Sequence, residues 1–139
     1  LFEETTRLLV AGDMVAGVGS ILIDPPDGHM ATYLQSLERL RGLEPRGLIP
    51  SHGPLLVDGK ARLQEQLAHR AMRQQRVEGV VDEAGAQGID ITRIVEKVYG
   101  ADTHPAMLAF AERSVLAALE YARERDVVDE RDGLYRSRR

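Results

Sequence analysis

An α/β layered half-domain, followed by a small helical domain that closes with a β hairpin, is the fold this sequence predicts. Three observations carry that expectation. Short apolar runs at Leu8, Leu9 and Val10 and at Leu48 and Ile49 have the length of strands, and an amphipathic helix separates them, giving the strand, helix, strand order of an α/β layer. Both runs exit into small residues that carry a single metal-competent side chain, Gly12-Asp13 after the first and Pro50-Ser51-His52-Gly53 after the second. Beyond Gly85 and Gly88 the pattern changes to helices with glycine stops and then to two short β-prone runs.

Each element follows from its local chemistry. Residues 2–10 hold apolar and Thr-rich pieces that read as two adjoining strands, and residues 21–23 read as another short buried segment before Asp24-Pro25-Pro26-Asp27-Gly28 breaks it. Met30, Tyr33, Leu34, Leu37 and Leu40 recur at helical spacing with Gln35, Glu38, Arg39 and Arg41 on the opposite face, and Gly42 supplies the stop. Residues 46–49 return as a strand, and Pro50, Gly53 and Pro54 stiffen the turn around His52. Residues 60–84 form a long helix with a bend or break placed near Gly79, and Leu63, Leu67, Val77 and Val81 are its core candidates. Asp90 caps a helix carrying Ile94, Val95 and Val98 that stops at Gly100. Thr103, His104 and Pro105 open the next, with Leu108, Ala111, Val115, Leu116 and Leu119 as its apolar stripe. Val127-Val128, a turn through Asp132-Gly133 and Leu134-Tyr135 complete a hairpin. Three helices and a terminal hairpin make a winged helix.

Composition sets the bounds. With 139 residues, 43% of them apolar and 29% charged, the chain is globular and holds one ordinary domain or two small ones. The lack of cysteine excludes a disulfide scaffold and any thiolate metal site, and it suits a reducing compartment, so a cytoplasmic location is expected. No apolar stretch approaches the length of a membrane span, so no membrane partner is expected. Eighteen basic against 22 acidic side chains give a net charge of −4, which argues against a strong nonspecific grip on nucleic acid.

The site candidates are Asp13 and His52. Taken singly, an Asp beside Gly is an ordinary turn residue, and a His between Pro and Gly is an ordinary loop residue. A carboxylate and an imidazole at neighbouring strand ends are, together, ligands suited to a divalent metal such as zinc. His29 follows the Pro-Pro-Asp-Gly loop and reads as a surface histidine, and His104 beside Pro105 reads as a helix-entry residue.

Gly12-Asp13, the Gly-rich Gly17-Val18-Gly19-Ser20, Tyr33 with Ser36-Leu37, Pro50-Ser51-His52-Gly53 and His69-Arg70 together resemble the second half of a metallo-β-lactamase-fold hydrolase. The resemblance is to the beta-lactamase-like protein 2 type, which carries a C-terminal winged helix. It implies the second half of an αββα sandwich over residues 1–74 and a winged-helix domain over residues 75–139. It also implies a dinuclear zinc site, with Asp13 bridging the two ions and His52 completing the shell of the second. Tyr33, Ser36, His69 and Arg70 would be supporting residues: Tyr33 and Ser36 share a helix face and would orient the site loops, and His69-Arg70 would tie the long helix to the loop bearing the site.

Relatives of this type also need an HxHxDH motif and a further histidine N-terminal to the aspartate. The histidines of this chain are His29, His52, His69 and His104, with no such motif, so the expectation is a C-terminal fragment with an incomplete site. In the intact parent the implied reaction is hydrolysis of an ester, thioester, amide or phosphodiester by metal-bound hydroxide, with a small molecule or RNA as substrate. The fragment alone is expected to be inactive. It is also expected to cover apolar residues such as Leu8, Val10, Ile21 and Ile23 by forming a homo-oligomer or by pairing with the N-terminal half. The alternative is a noncatalytic winged-helix module that binds nucleic acid or protein. Acidic residues outnumber basic ones across residues 75–139, which leaves Arg131, Arg136, Arg138 and Arg139 as the local anion contacts.

Overall fold

A tight reversal through residues 4–7, which include Thr5 and Thr6, folds two short runs back on each other, and in the computed structural model, which describes residues 1–17, 19–100 and 104–139, they are β1 (Phe2–Glu3) and β2 (Leu8–Gly12). Glu3 fastens the reversal by accepting from the Thr5 and Thr6 amides at 3.0 and 2.6 Å. The remaining elements are α1 (Met30–Gly42), β3 (Gly47–Pro50), β4 (Leu56–Val57), α2 (Gly59–Ala84), a single 3-10 turn (Gly85–Gln87), α3 (Ile91–Tyr99), α4 (Pro105–Glu124), β5 (Val128–Arg131) and β6 (Leu134–Ser137). By its internal packing the chain divides into two units, Leu1–Ile21 with Ala31–Ala71 and Leu22–Met30 with Met72–Arg139.

In the first unit four strands lie in the order β1, β2, β3, β4, with β2 and β3 parallel and both edge strands antiparallel to their neighbours. Parallel neighbours need a long crossover, and α1 lies within the one that joins β2 to β3. The register aligns Leu9 with Leu48 and Leu48 with Leu56 on one face, where all three are buried. Val10 and Ile49 pair on the opposite face, and Val57 sits there opposite Gly47. These three are 45%, 37% and 72% exposed, so one side of the sheet is covered and the other is open. Tyr33 and Leu37 of α1 and Leu63 of α2 are also buried, and the start of α2 lies so near Leu48 that a Cβ on Gly59 would stand 3.1 Å from the Leu48 side chain.

In the second unit the far half of α2 contributes Val77, Val80 and Val81, α3 contributes Ile94, Val95 and Val98, and α4 contributes Ala111, Val115, Ala118, Leu119 and Ala122 to one cluster that Val128 and Tyr135 close from the hairpin. Asp90 caps α3 by accepting from the Arg93 amide at 3.0 Å, and Gly100 ends the helix. The His104 ring accepts from the Ala106 amide at the start of α4. Asp132 and Gly133 both have positive φ, the signature of the turn that matches strand twist in a two-residue hairpin. Ile89 adds a bridge to Tyr135 through two backbone hydrogen bonds of 3.0 and 2.9 Å. The Glu78 carboxylate is buried and is matched by Arg125, Arg139 and Gln74. A buried charge needs such partners, because desolvation without them costs several kcal/mol, on the order of the whole stability of a small domain.

Several expectations are corrected. α2 runs unbroken through Gly79, since one glycine costs a helix interior only about 1 kcal/mol and both flanking segments bury apolar residues. Leu67 is half-buried, outside the core. In α4 Ala111, Val115 and Leu119 are buried as expected, whereas Leu108 is 42% exposed and Leu116 half-buried, and the small Ala118 and Ala122 join the core instead. Residues 21–23 form no strand, and of Leu8, Val10, Ile21 and Ile23 only Val10 is exposed. Ile23 is 4% exposed and groups with the second unit. The two-residue β4 was not anticipated. Thr103 and Val18 lie outside the described residues.

The cluster predicts that Leu119→Ala lowers stability by about 2–5 kcal/mol, the range for a fully buried leucine. Urea denaturation checks this, and a loss under about 1 kcal/mol would show that the site collapses without a cavity.

Candidate metal centre

Asp13 leaves the end of β2 and His52 leaves the end of β3, and parallel pairing of those strands sets the two exits side by side. Asp13 Oδ1 and His52 Nε2 stand 3.6 Å apart, and both side chains are largely exposed, at 80% and 88%. Two donors on one tetrahedral zinc, each about 2.0–2.2 Å from it, lie roughly 3.4 Å apart. The observed spacing and the oxygen and imidazole donor types therefore fit a shared metal position, as part of its shell. Among the described residues no third His, Cys, Asp or Glu joins them. His29 is exposed and pairs with Glu124 at 2.7 Å, and His104 caps α4.

The backbone holds the two exits together. The Ser51 amide donates to Gly12 carbonyl at 3.1 Å, and the Gly17 amide donates to His52 carbonyl at 3.0 Å. Gly12 has φ +58°, which turns the chain sharply out of the strand at the residue before Asp13.

The loop beyond Asp13 is fastened at Met14, Gly19 and Ile21 by residues of the first unit. The Tyr33 hydroxyl donates to Met14 carbonyl at 3.1 Å, one residue beyond Asp13. Burial holds the Tyr33 phenol above its ordinary pKa of 10, opposed by nearby Arg70, so the proton needed for that bond stays in place. Arg70, 6% exposed, donates to Ile21 carbonyl and lies over the Tyr33 ring at 5.3 Å. Gln66 donates to Gly19 carbonyl at 3.3 Å. Ser36, paired with Tyr33 in the sequence expectation, instead donates to Thr32 carbonyl in its own helix at 2.9 Å, because a serine hydroxyl is too short to leave the i−4 position. His69 is half-buried on α2. Sequence reasoning missed Gln66 and the backbone ties of Gly17 and Ser51. Only the clustering of glycines at 17 and 19 hinted at them, since the partner segment is more than thirty residues away.

With that geometry in place, comparison with known proteins locates the fold. No protein-family model matches the chain. Solved structures do: it superposes on a metallo-beta-lactamase family protein from Thermus thermophilus with a TM-score of 0.79 at 24% identity, covering 99% of this chain and 44% of that one. A beta-lactamase domain protein from Burkholderia ambifaria gives 0.81 at 24% identity, covering 98% and 43%. The chain therefore has a mixed α/β fold similar to that of metallo-β-lactamase domain proteins. Among curated proteins it is 29% identical over 119 residues to Lactamase-like protein aptB of Emericella nidulans, covering 80% of this chain and 37% of that protein. It is 23% identical over 101 residues to the Beta-lactamase-like protein 2 homolog of Drosophila melanogaster, covering 70% and 33%. These curated relatives carry lactamase-like names, and the chain spans about a third of their length.

Tyr33→Phe should lower stability by about 1 kcal/mol through loss of the bond to Met14 carbonyl. Because the folded phenol has a raised pKa, its contribution is complete below pH 10 and fades as pH climbs through the raised value. Denaturation at pH 7 and at rising alkaline pH checks both, and a wild-type protein whose stability did not fall above pH 10 would contradict the burial of this hydroxyl.

Proposed function

We propose that this chain forms part of a metal-dependent hydrolase, with Asp13 and His52 as ligands of a zinc centre that is completed by residues outside the chain. The observation that carries the reading is the 3.6 Å approach of two exposed donors at adjacent parallel strand ends. Strand pairing brings the two exits together, and the carboxylate beside an imidazole that it places there is a donor set that zinc accepts. In a protein of the relatives' length Asp13 and His52 would be among the residues that hold two zinc ions. When bound they supply Lewis acidity and an activated water for hydrolysis of an ester, thioester, amide or phosphodiester, RNA included. The chain's own residues supply position. Asp13 and His52 present their donors, Tyr33 holds Met14 carbonyl, and Arg70 holds Ile21 carbonyl, so that the loop beyond Asp13 keeps its path. The likeness to metallo-β-lactamase-fold proteins supports hydrolysis as the reaction class.

We read the second unit as a winged helix whose role is packing. The four basic residues of its hairpin and tail are engaged within the unit: Arg131 with Asp129 at 2.9 Å, Arg138 with Asp126 and Asp129 at 3.1 and 3.3 Å, and Arg139 with Asp82 at 3.1 Å, while Arg136 donates to Ala86 carbonyl at 3.1 Å. That arrangement weighs against the nucleic-acid-binding alternative. Among the described residues no helix is long and apolar enough to cross a membrane.

The 139 residues alone should show no hydrolysis and should bind zinc weakly, because two ligands leave the ion exchangeable. Calorimetric titration tests this, and tight zinc binding at Asp13 and His52 in a monomer would sink it. In the longer protein, Asp13→Ala or His52→Ala should abolish turnover; retained activity in either would remove that residue from the centre.

The open face of the sheet carries a second expectation. Covering Val10, Ile49 and Val57, now 45%, 37% and 72% exposed, gains for each the corresponding part of the roughly 1.5–3 kcal/mol that full burial of such a side chain contributes. We propose that this face pairs with the N-terminal part that the longer relatives carry, and that isolated chains cover it by self-association. Light scattering at micromolar concentration should show a dimer or larger species; a monomer that binds no hydrophobic dye would contradict it.

A further inference from the structure

We propose that Gly17 and Gly53 are positioning residues whose direct backbone contact sets the gap between Asp13 and His52. The inference rests on the metal reading of those two side chains. Two groups that are 80% and 88% exposed do not hold each other at a fixed distance, since an ion pair in open solvent contributes little. The spacing must come from the backbone. Strand pairing ends at Gly12 and Pro50, with an irregularity in register between Val10 and Gly12, so the sheet alone leaves the two exits loosely defined.

What closes the arrangement is the return of the loop beyond Asp13. Gly17 comes back onto residues 52–54 so closely that a Cβ on it would stand 2.9 Å from Gly53 Cα, 2.9 Å from Pro54 Cδ and 3.0 Å from His52 carbonyl oxygen. The contact is reciprocal: a Cβ on Gly53 would stand 2.9 Å from Gly17 Cα, and Gly53 adopts φ +95°, which a side chain disfavours. The same Gly17 donates its amide to the carbonyl of His52 at 3.0 Å, so the contact bears on the peptide of the ligand residue itself. Any side chain at position 17 drives residues 52–54 outward by several tenths of an ångström. Binding constellations need their donors held within about 0.5 Å. A change of that size, too small to unfold the unit, is enough to spoil a shared metal position.

The test uses the whole chain and zinc chloride as probe, followed by NMR. In the wild type, shifts at Asp13 and His52 should grow together with zinc. Gly17→Ala should weaken that response by about ten- to a hundredfold, the usual loss when a ligand's support is removed, with signals from the strands and from α1 and α2 unchanged. Gly42→Ala is the control, because a Cβ there meets nothing within 4 Å, and its zinc response should match the wild type. An unweakened response in Gly17→Ala would overturn the proposal. If Asp13→Ala and His52→Ala left the zinc response intact, the metal reading would fail instead. Amide exchange in the metal-free wild type decides the backbone lock independently and covers the case in which Gly17→Ala does not fold. The Gly17 and Ser51 amides should be protected, and exchange as fast as in an open loop would overturn the lock.

Discussion

Parallel pairing of β2 with β3 brings Gly12 into register with Pro50, and the candidate centre depends on that pairing. Parallel strands run their C-terminal ends to the same edge, so residues that follow them emerge together however far apart they lie in the chain. α1 sits in the crossover that makes the parallel arrangement possible, and Leu37 in that helix is fully buried. The burial of Leu9, Leu48 and Leu56 on one sheet face fixes the register, since a slip by one residue would turn those side chains to the open face. Packing of the covered side thus determines which residues leave at the edge, and the edge residues are Asp13 and His52.

The two units solve the same problem of apolar and charged surface in opposite ways. The second gathers its helices and hairpin around one cluster and answers its buried Glu78 with Arg125, Arg139 and Gln74. Arg131, Arg136, Arg138 and Arg139 are likewise engaged within it. The first leaves Val10, Ile49 and Val57 open on one sheet face and leaves two donors exposed at the edge. Both open features lie on the sheet that carries the candidate centre.

Much of this was legible in the sequence where chemistry is local. The period of α1, the Asp90 cap, the Gly100 stop and the Asp132-Gly133 turn each rest on a few adjacent residues, and each is where the sequence puts it. The strand exits at Gly12-Asp13 and Ser51-His52-Gly53 could be named for the same reason. Features decided by distant partners were not legible. In the stripe of α4, Ala111, Val115 and Leu119 are buried as expected, but Ala118 and Ala122 take the places expected of Leu108 and Leu116, because close packing favours small residues where helices approach, which apolar size alone does not reveal. Ser36 was paired with Tyr33 by helical spacing, yet only the longer phenol reaches Met14 carbonyl. The fit of Gly17 against Gly53 was invisible because glycine announces freedom, and only the fold shows whether that freedom serves a turn or a contact.

The central claim is that the convergence of Asp13 and His52 exists to hold a metal. Its most direct measurement is anomalous diffraction at the zinc absorption edge from crystals of the chain soaked in zinc chloride. A peak within coordination distance of both Asp13 Oδ1 and His52 Nε2 is the predicted result. Zinc sites elsewhere on the surface, with no peak between these two atoms at full soaking concentration, would contradict it.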